Sequence, residues 1–146
     1  MASRTARTAW NGTLMEGTGE VELSSSGVGT FHVSFPRRIA DEAEGVTSPE
    51  ELVAAAHCSC FAMQFSGLIA KAGGTPIALD VQADVSVGPD PAGGLMLTGI
   101  ALTVSAEVDG LDEETFQATA EAAKKTCPIS KALTGVEITI SATMES

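Results

Sequence analysis

The chain has 146 residues and a formal net charge of -11 at pH 7, from 19 acidic and 8 basic side chains. This length allows one domain, residues 1–146, with a substantial core, and the acidity argues against nucleic acid or an anionic membrane as a partner. No apolar run lacks polar breaks over the roughly 18 residues that a membrane span needs, and the start of the chain has no apolar signal segment. The three cysteines lack paired spacing, which argues against a secreted disulfide framework and favours a cytoplasmic chain with working thiols.

Residues 8–35 have the pattern of β-structure. Polar and apolar side chains alternate over residues 18–24 and again over residues 31–35, which is typical of half-buried strands. Turn-forming residues at Gly17 and at positions 25–27 separate the strands. We therefore predict a three-strand meander, ended by the Pro-Arg-Arg sequence at positions 36–38.

A long helix is predicted to begin after Ser48 and to continue towards Gly73. Ser48 can cap the first turn, Pro49 suits the first helical position, and Glu51 is placed to complete a capping box. Beyond the first turn the helix is apolar nearly all round, which is typical of a helix buried on most sides. Two thiols lie in its middle, so chemistry at this helix is the first possibility to test.

The second half of the chain predicts a hairpin, two helices and a last strand. Strict alternation over residues 79–87 and 99–108 predicts two strands joined by a Gly- and Pro-rich loop. A helix begins near Asp112, and Pro128 ends it and starts a short one; residues 135–142 form the last strand. The order β-β-β-α-β-β-α-α-β predicts an α+β fold with antiparallel sheets.

The three cysteines differ in their surroundings. Cys58 and Cys60 point about 200° apart on a helix, so they cannot form a disulfide without unwinding it. Cys127 precedes Pro128 and so lies at a helix N-terminus, a position that lowers a thiol pKa. A mid-helix thiol and a helix-start thiol make a sensible redox couple, whereas the alternative is that all three are small buried hydrophobes.

The sequence around these thiols resembles the OsmC/Ohr family of thiol peroxidases. The resemblance rests on SPEELVAAAHCSCF at residues 48–61 and on KTCPISKAL at residues 125–133. The predicted order of strands and helices also agrees with that family, so the resemblance covers essentially the whole chain. The histidine at position 57 resembles the sequence pattern of the OsmC branch of this family rather than that of the Ohr branch.

The resemblance implies a homodimeric peroxidase that reduces organic hydroperoxides and, less well, hydrogen peroxide, with no cofactor and no metal ion. It implies that Cys60 is the peroxidatic thiol and Cys127 the resolving thiol, with a lipoyl-type dithiol as the reductant. Cys58 departs from the family pattern and is interpreted as structural.

The resemblance also implies a carboxylate and an arginine at the site. Glu50 matches the carboxylate and Arg38 best matches the arginine, with Arg37 as an alternative because the following loop is longer than usual. A guanidinium beside Cys60 would keep the thiol ionised and donate to the peroxide oxygens, and Glu50 would orient it.

Attack of the Cys60 thiolate on the O–O bond gives a sulfenic acid and an alcohol, and Cys127 then closes a disulfide that the dithiol reopens. Four side chains are candidates for an apolar mouth that receives alkyl peroxides, although plain core packing explains each of them equally well: Phe35, Phe61, Met63 and Phe65.

Helix geometry adds an inference about assembly. Glu50 and Cys60 are ten residues apart, which corresponds to about 15 Å along one helix. If both serve one site, Glu50 comes from a partner subunit whose central helix packs antiparallel to this one. We therefore predict an intertwined homodimer with two sites at its interface.

Three other interpretations of the motif remain. His57 lies one turn before Cys60, so a Cys-His hydrolase is conceivable, but no orienting group or oxyanion hole is evident. A metal site at His57, Cys58 and Cys60 is weaker, since these positions fan around the helix and a fourth ligand is missing. The third is a non-catalytic protein that binds an apolar ligand.

Overall fold

The computed structural model describes residues 1–145, which fall into two compact units, one from Met1 to Leu52 and one from Val53 onward. The elements, in chain order, are β1 (Arg7–Asn11), β2 (Thr18–Glu22), β3 (Thr30–Val33), α1 (Phe35–Arg38), α2 (Pro49–Lys71), β4 (Thr75–Pro89), β5 (Leu95–Asp109), α3 (Glu113–Thr126), α4 (Pro128–Ala132) and β6 (Ile138–Glu145). The α+β class is as predicted, and a single domain over residues 1–146 stays a prediction.

The first unit contains the predicted meander, an antiparallel sheet in the order β1-β2-β3. The third strand ends at Val33, two residues earlier than predicted, because the next residues form the short helix α1. The Ser34 hydroxyl accepts the N–H of Arg37 at 3.3 Å, and Pro36 lies in the first turn of α1, where a proline costs no hydrogen bond. The sequence pattern did not predict this helix, whose two arginines lie in its last turn.

The long helix α2 has the predicted start and end. The Ser48 hydroxyl caps it by accepting the N–H of Glu51 at 3.1 Å. The Glu51 carboxylate does not complete the capping box, since it accepts a hydrogen bond from the Thr47 hydroxyl instead. The helix ends at Lys71, just before Gly73, whose positive φ of 95° suits glycine.

The chain itself covers only one side of α2, in contrast to the prediction that the helix is buried on most sides. Its fully buried side chains follow a four-residue spacing from His57 through Phe61 and Phe65 to Ile69. Met63, on the opposite side, is 75% exposed. By length and composition alone α2 could also cross a membrane, with 22% of its most apolar window buried, although core helices of soluble proteins meet the same criterion. The polar breaks seen in its sequence do not exclude such a span.

The second unit contains the sheet β4-β5-β6. β4 and β5 form the predicted antiparallel hairpin, but β6 pairs with β5 in parallel, so the prediction of purely antiparallel sheets is wrong. The reason lies in the connection, because α3 and α4 form a helical crossover that returns the chain in the direction of β5. β6 also begins at Ile138, later than the predicted position 135.

The core of the second unit lies between this sheet and the helices. Alternate residues of β5 from Ile100 to Val108 are buried and belong to the same hydrophobic cluster as the buried stripe of α2 and the inner face of α3. Phe65 lies at the centre, with its ring centroid 5.4 Å from those of both Phe61 and Phe116. Cys127 belongs to the same cluster, so one of the candidate thiols is anchored in the core.

Candidate active site

The two candidate redox thiols of the second unit face each other. Cys60 lies on α2 and is half-buried, whereas Cys127 is fully buried at the joint between α3 and α4. Their sulfur atoms are 3.0 Å apart, although 67 residues separate them in the chain. A disulfide needs a separation of about 2.05 Å, so the sulfurs have to approach by only about 1 Å to bond.

Cys58 does not take part in this contact. Its thiol is half-buried and donates to the carbonyl of Ala55, one turn back on its own helix, at 3.6 Å. The structure thus places Cys60 and Cys127 together and leaves Cys58 on a different side of α2, as the helical spacing predicts.

The pKa values of the paired thiols shift in opposite directions. Burial raises the pKa of Cys60, and the hydrogen bond with Cys127 raises it further against a smaller lowering by the Ile129 N–H. Burial alone also raises the pKa of Cys127, but the hydrogen bond with Cys60 and polar interactions with the Ser130 N–H and hydroxyl and with the Ile129 N–H outweigh it and lower this pKa. Two thiols in contact titrate as a pair, and in the reduced protein the Cys127 thiol donates to the Cys60 sulfur.

In the first unit, Arg38 and Glu50 form a bidentate ion pair. Arg38 Nη2 donates to Glu50 Oε1 at 2.7 Å, and Arg38 Nε lies 3.1 Å from both carboxylate oxygens. Burial raises the pKa of Glu50, but hydrogen bonds from Arg38 and from the backbone, together with the charge of the guanidinium, outweigh it and lower that pKa. The hydrogen bond with Glu50 is the main reason that the pKa of Arg38 is raised. Both groups therefore stay charged near neutral pH.

Arg37, the alternative arginine of the sequence analysis, has other partners. Its Nη1 donates to the carbonyl of Glu42 at 3.0 Å and lies 3.1 Å from the Glu44 carboxylate. These contacts order the acidic loop that follows α1. Arg38 is therefore the arginine that pairs with Glu50.

An apolar pocket of about 240 Å³ in the first unit contains the Arg38 side chain in its wall. Its other lining residues are Trp10, Leu14, Val33, Ser34, Phe35 and Pro49. A guanidinium in an apolar wall suits a ligand with an alkyl part and a polar or negatively charged end.

The predicted apolar mouth needs correction. Phe35 lines the pocket of the first unit, but Phe61 and Phe65 are fully buried core residues, and Met63 projects outward from α2. Trp10 was not predicted as a site residue, although it is the one large apolar side chain on β1 and was the available signal.

His57 and Ser130 form a second contact between α2 and α4 that the sequence analysis did not predict. His57 Nε2 and Ser130 Oγ are 2.7 Å apart, and both residues are buried. Burial lowers the pKa of His57, so its imidazole is neutral near pH 7. Since Nε2 is engaged by Ser130, and Nδ1 has no partner within residues 1–145, neither nitrogen is placed as a base for Cys60. The hydrolase interpretation loses its general base, and no group of three or more potential metal ligands occurs in the same residues.

Comparison with known proteins places this arrangement in a family. The family model for OsmC-like proteins matches residues 41–141. Peroxiredoxin OsmC of Escherichia coli (strain K12) is 38% identical over 137 residues, which cover 94% of this chain and 93% of that protein. Organic hydroperoxide resistance protein OhrB of Bacillus subtilis (strain 168) is 32% identical over 112 residues, which cover 77% and 79% of the two chains.

The fold agrees as well. The crystal structure of OhrB of Bacillus subtilis superimposes with a TM-score of 0.74 at 28% identity, covering 95% of this chain and 98% of that one. The chain therefore belongs to the OsmC-like family, as its cysteine motifs and its order of elements predicted.

Proposed function

We propose that this protein is a cysteine-based peroxidase that reduces organic hydroperoxides and, less well, hydrogen peroxide. The observation that carries the proposal is the 3.0 Å contact between Cys60 and Cys127, which prepares two thiols to become one disulfide. Relatives named peroxiredoxin OsmC and organic hydroperoxide resistance protein OhrB support a peroxidase role. The apolar pocket beside Arg38 supports substrates with an alkyl part.

The chemistry follows from the two thiols. The Cys60 thiolate attacks one peroxide oxygen, the O–O bond breaks, and the alkoxide takes up a proton and leaves as an alcohol. Cys60 is thereby oxidised to a sulfenic acid. Cys127 attacks the sulfenic sulfur, the S–S bond forms, and the hydroxyl leaves as water with the proton of the Cys127 thiol. A dithiol of the lipoyl type then reduces the disulfide by two electrons and becomes a disulfide itself.

Cys60 needs a cation to act as a nucleophile at neutral pH. Within the second unit its pKa is raised, and the groups that act on it there are Cys127 and the Ile129 N–H, neither of which is a cation. The guanidinium of Arg38, oriented by Glu50, is the cation we assign to this task. We propose that a partner subunit supplies it, since positions 50 and 60 belong to one helix and ten residues of α-helix correspond to about 15 Å along the axis.

The peroxidase reaction has a direct test. One equivalent of an alkyl hydroperoxide added to the reduced protein is expected to remove two thiols per chain and to give a Cys60–Cys127 disulfide in the peptide map. In Cys127→Ser the same treatment is expected to leave a sulfenic or higher acid at Cys60, because the resolving thiol is missing. Thiols that stay unchanged in the wild-type protein would favour a non-catalytic protein whose apolar pocket binds its ligand without reaction.

The dimer has a separate test on the exposed side of α2. Met63→Glu is expected to shift the mass measured by light scattering from dimer towards monomer and to lower turnover, because it places a charge at the proposed seam between the two central helices. Met96→Glu is the matched control, since Met96 is an exposed methionine on the β4–β5 hairpin. A wild-type monomer with full activity would refute the shared site.

A further inference from the structure

Two side-chain contacts join one turn of α2 to the start of α4. Cys60 meets Cys127 at 3.0 Å, and His57 meets Ser130 at 2.7 Å. Cys60 follows His57 by three residues on α2, and Ser130 follows Cys127 by three residues, so each contact lies one helical turn from the other. The contact between the two thiols therefore has a polar contact beside it that joins the same two helices.

We propose that His57 and Ser130 are a positioning pair for the resolving thiol: their hydrogen bond fixes the start of α4 against α2, and the Ser130 hydroxyl donates to the Cys127 sulfur while the disulfide forms. This proposal rests on the proposed function for its role in the reaction. The geometry that supports it does not depend on that reaction, because both contacts, His57 with Ser130 and Cys60 with Cys127, are made in the reduced protein.

The hydrogen-bonding capacity of the pair agrees with this direction of donation. A serine hydroxyl has one proton, so if Ser130 donates to Cys127 it has to accept from the Nε2–H of His57. A neutral imidazole carries one N–H, and Nδ1 is then a bare acceptor. Nδ1 is the one buried side-chain nitrogen or oxygen without a partner in residues 1–145. An unfilled acceptor is tolerated more readily than a stranded buried N–H, so the structure favours the tautomer that the proposal requires.

Ser130 follows Cys127, the N-cap residue of α4, by three residues, so the two side chains belong to the same turn. The Cys127 thiol makes no side-chain capping hydrogen bond at the start of α4, and its interaction with the Ser130 hydroxyl is one of the causes that lower its pKa. A hydroxyl rotor can turn towards sulfur when the thiol loses its proton and becomes a stronger acceptor. The bond is thus available at the stage when Cys127 attacks.

Few other ionisable groups bear on Cys127. From α2 these are Cys60 and, through Ser130, His57. The buried face of β5 offers only apolar side chains. The helices that flank Cys127 carry three lysines, of which Lys124 pairs with Glu121 at 3.2 Å; the lysines are Lys124, Lys125 and Lys131. Substitution at Ser130 or His57 leaves all of these charges in place.

The experiment measures the Cys127 pKa directly, by the thiolate absorbance near 240 nm against pH, in a Cys58→Ser/Cys60→Ala background that leaves Cys127 as the single thiol. Ser130→Ala is expected to raise this pKa by about one to two units, the usual effect of one hydrogen bond to a charged group. His57→Phe is expected to raise it by less, because the hydroxyl remains but loses its own donor. Ser130→Thr and His57→Gln keep a hydroxyl and an N–H donor and are expected to stay near the background value.

A double-mutant cycle separates positioning from plain structural support. If His57 acts through Ser130, then His57→Phe/Ser130→Ala is expected to show the same Cys127 pKa as Ser130→Ala alone. The proposal would be overturned if the two substitutions raised the Cys127 pKa by independent, additive amounts. It would also be overturned if Ser130→Ala raised this pKa by less than about 0.3 unit in a protein that still melts cooperatively. The double variant removes both polar partners of the pair, so neither is left buried without the other. The proposal can therefore still be tested on the double variant if a single variant folds poorly. Ser59→Ala is the matched control, since Ser59 bonds only to carbonyls of its own helix.

A second readout connects the pair to the reaction. After one equivalent of alkyl hydroperoxide, Ser130→Ala with its native cysteines is expected to give at least about threefold more sulfinic acid at Cys60 relative to disulfide than the wild-type protein, because resolution is slower. Equal ratios in the two proteins would overturn the role in disulfide formation. If the wild-type thiols do not react with hydroperoxide at all, the proposed function fails while the titration still decides on the pair.

Discussion

Replacing Cys60 by serine is expected to reduce hydroperoxide turnover to the uncatalysed background, a loss on the order of 10³-fold or more. A serine hydroxyl does not ionise near neutral pH and is a far weaker nucleophile than a thiolate, so the O–O bond is not attacked. Coupled consumption of hydroperoxide with a dithiol reductant measures the effect. The substitution is nearly isosteric at a half-buried position, so the fold should persist.

Cys58→Ser is the matched control for this prediction. Cys58 lies two residues away on the same helix, is half-buried like Cys60, and its thiol donates to the Ala55 carbonyl. Its replacement by serine keeps that hydrogen bond, so turnover within about twofold of wild type is expected. A Cys58→Ser variant that loses activity like Cys60→Ser would mean that the structural role assigned to Cys58 is wrong.

The α+β class and most element positions followed from local signals in the sequence. The alternation of polar and apolar residues predicted β4 and β5, and the capping sequence at Ser48 and Pro49 predicted the start of α2. The direction of β6 did not follow, because the sequence shows that a strand exists but not which neighbour it pairs with. The short helix α1 was missed because four residues are too few for a periodic pattern, and its cap, Ser34, also continues the alternation of β3.

Some features of the candidate site could likewise be predicted from the sequence, whereas others could not. The resemblance to a known family identified four candidate residues. The structure pairs Cys60 with Cys127 and, separately, Arg38 with Glu50. The pairing of His57 with Ser130 could not have been predicted, because it joins residues 73 positions apart and depends on how α2 and α4 pack.

Arg38 and Arg37 allow a sharp test of the proposed cation, since they are adjacent in sequence and differ in their partners. Arg38→Ala is expected to lower kcat/KM for an alkyl hydroperoxide by about 10² to 10³-fold, the usual cost of losing a preorganised charged donor. Arg38→Lys is expected to recover only part of this loss, because an ammonium cannot form the bidentate pair with Glu50. Arg37→Ala is expected to stay within about twofold of wild type, since Arg37 pairs with the exposed Glu44.

The pH dependence of the protein's stability follows from the Glu50 carboxylate. The pKa of Glu50 is lowered from its ordinary value of 4.5, so the stabilisation from its ion pair is fully present above that value and is lost as the pH falls through the lowered pKa. Glu50→Gln removes the charge but keeps the shape, so its thermal unfolding midpoint should lie below that of wild type near pH 7. The two midpoints should converge at acid pH, where wild-type Glu50 is itself protonated. A gap that persists unchanged into strong acid would show that Glu50 acts through packing rather than charge, and the orientation of Arg38 would then need another cause.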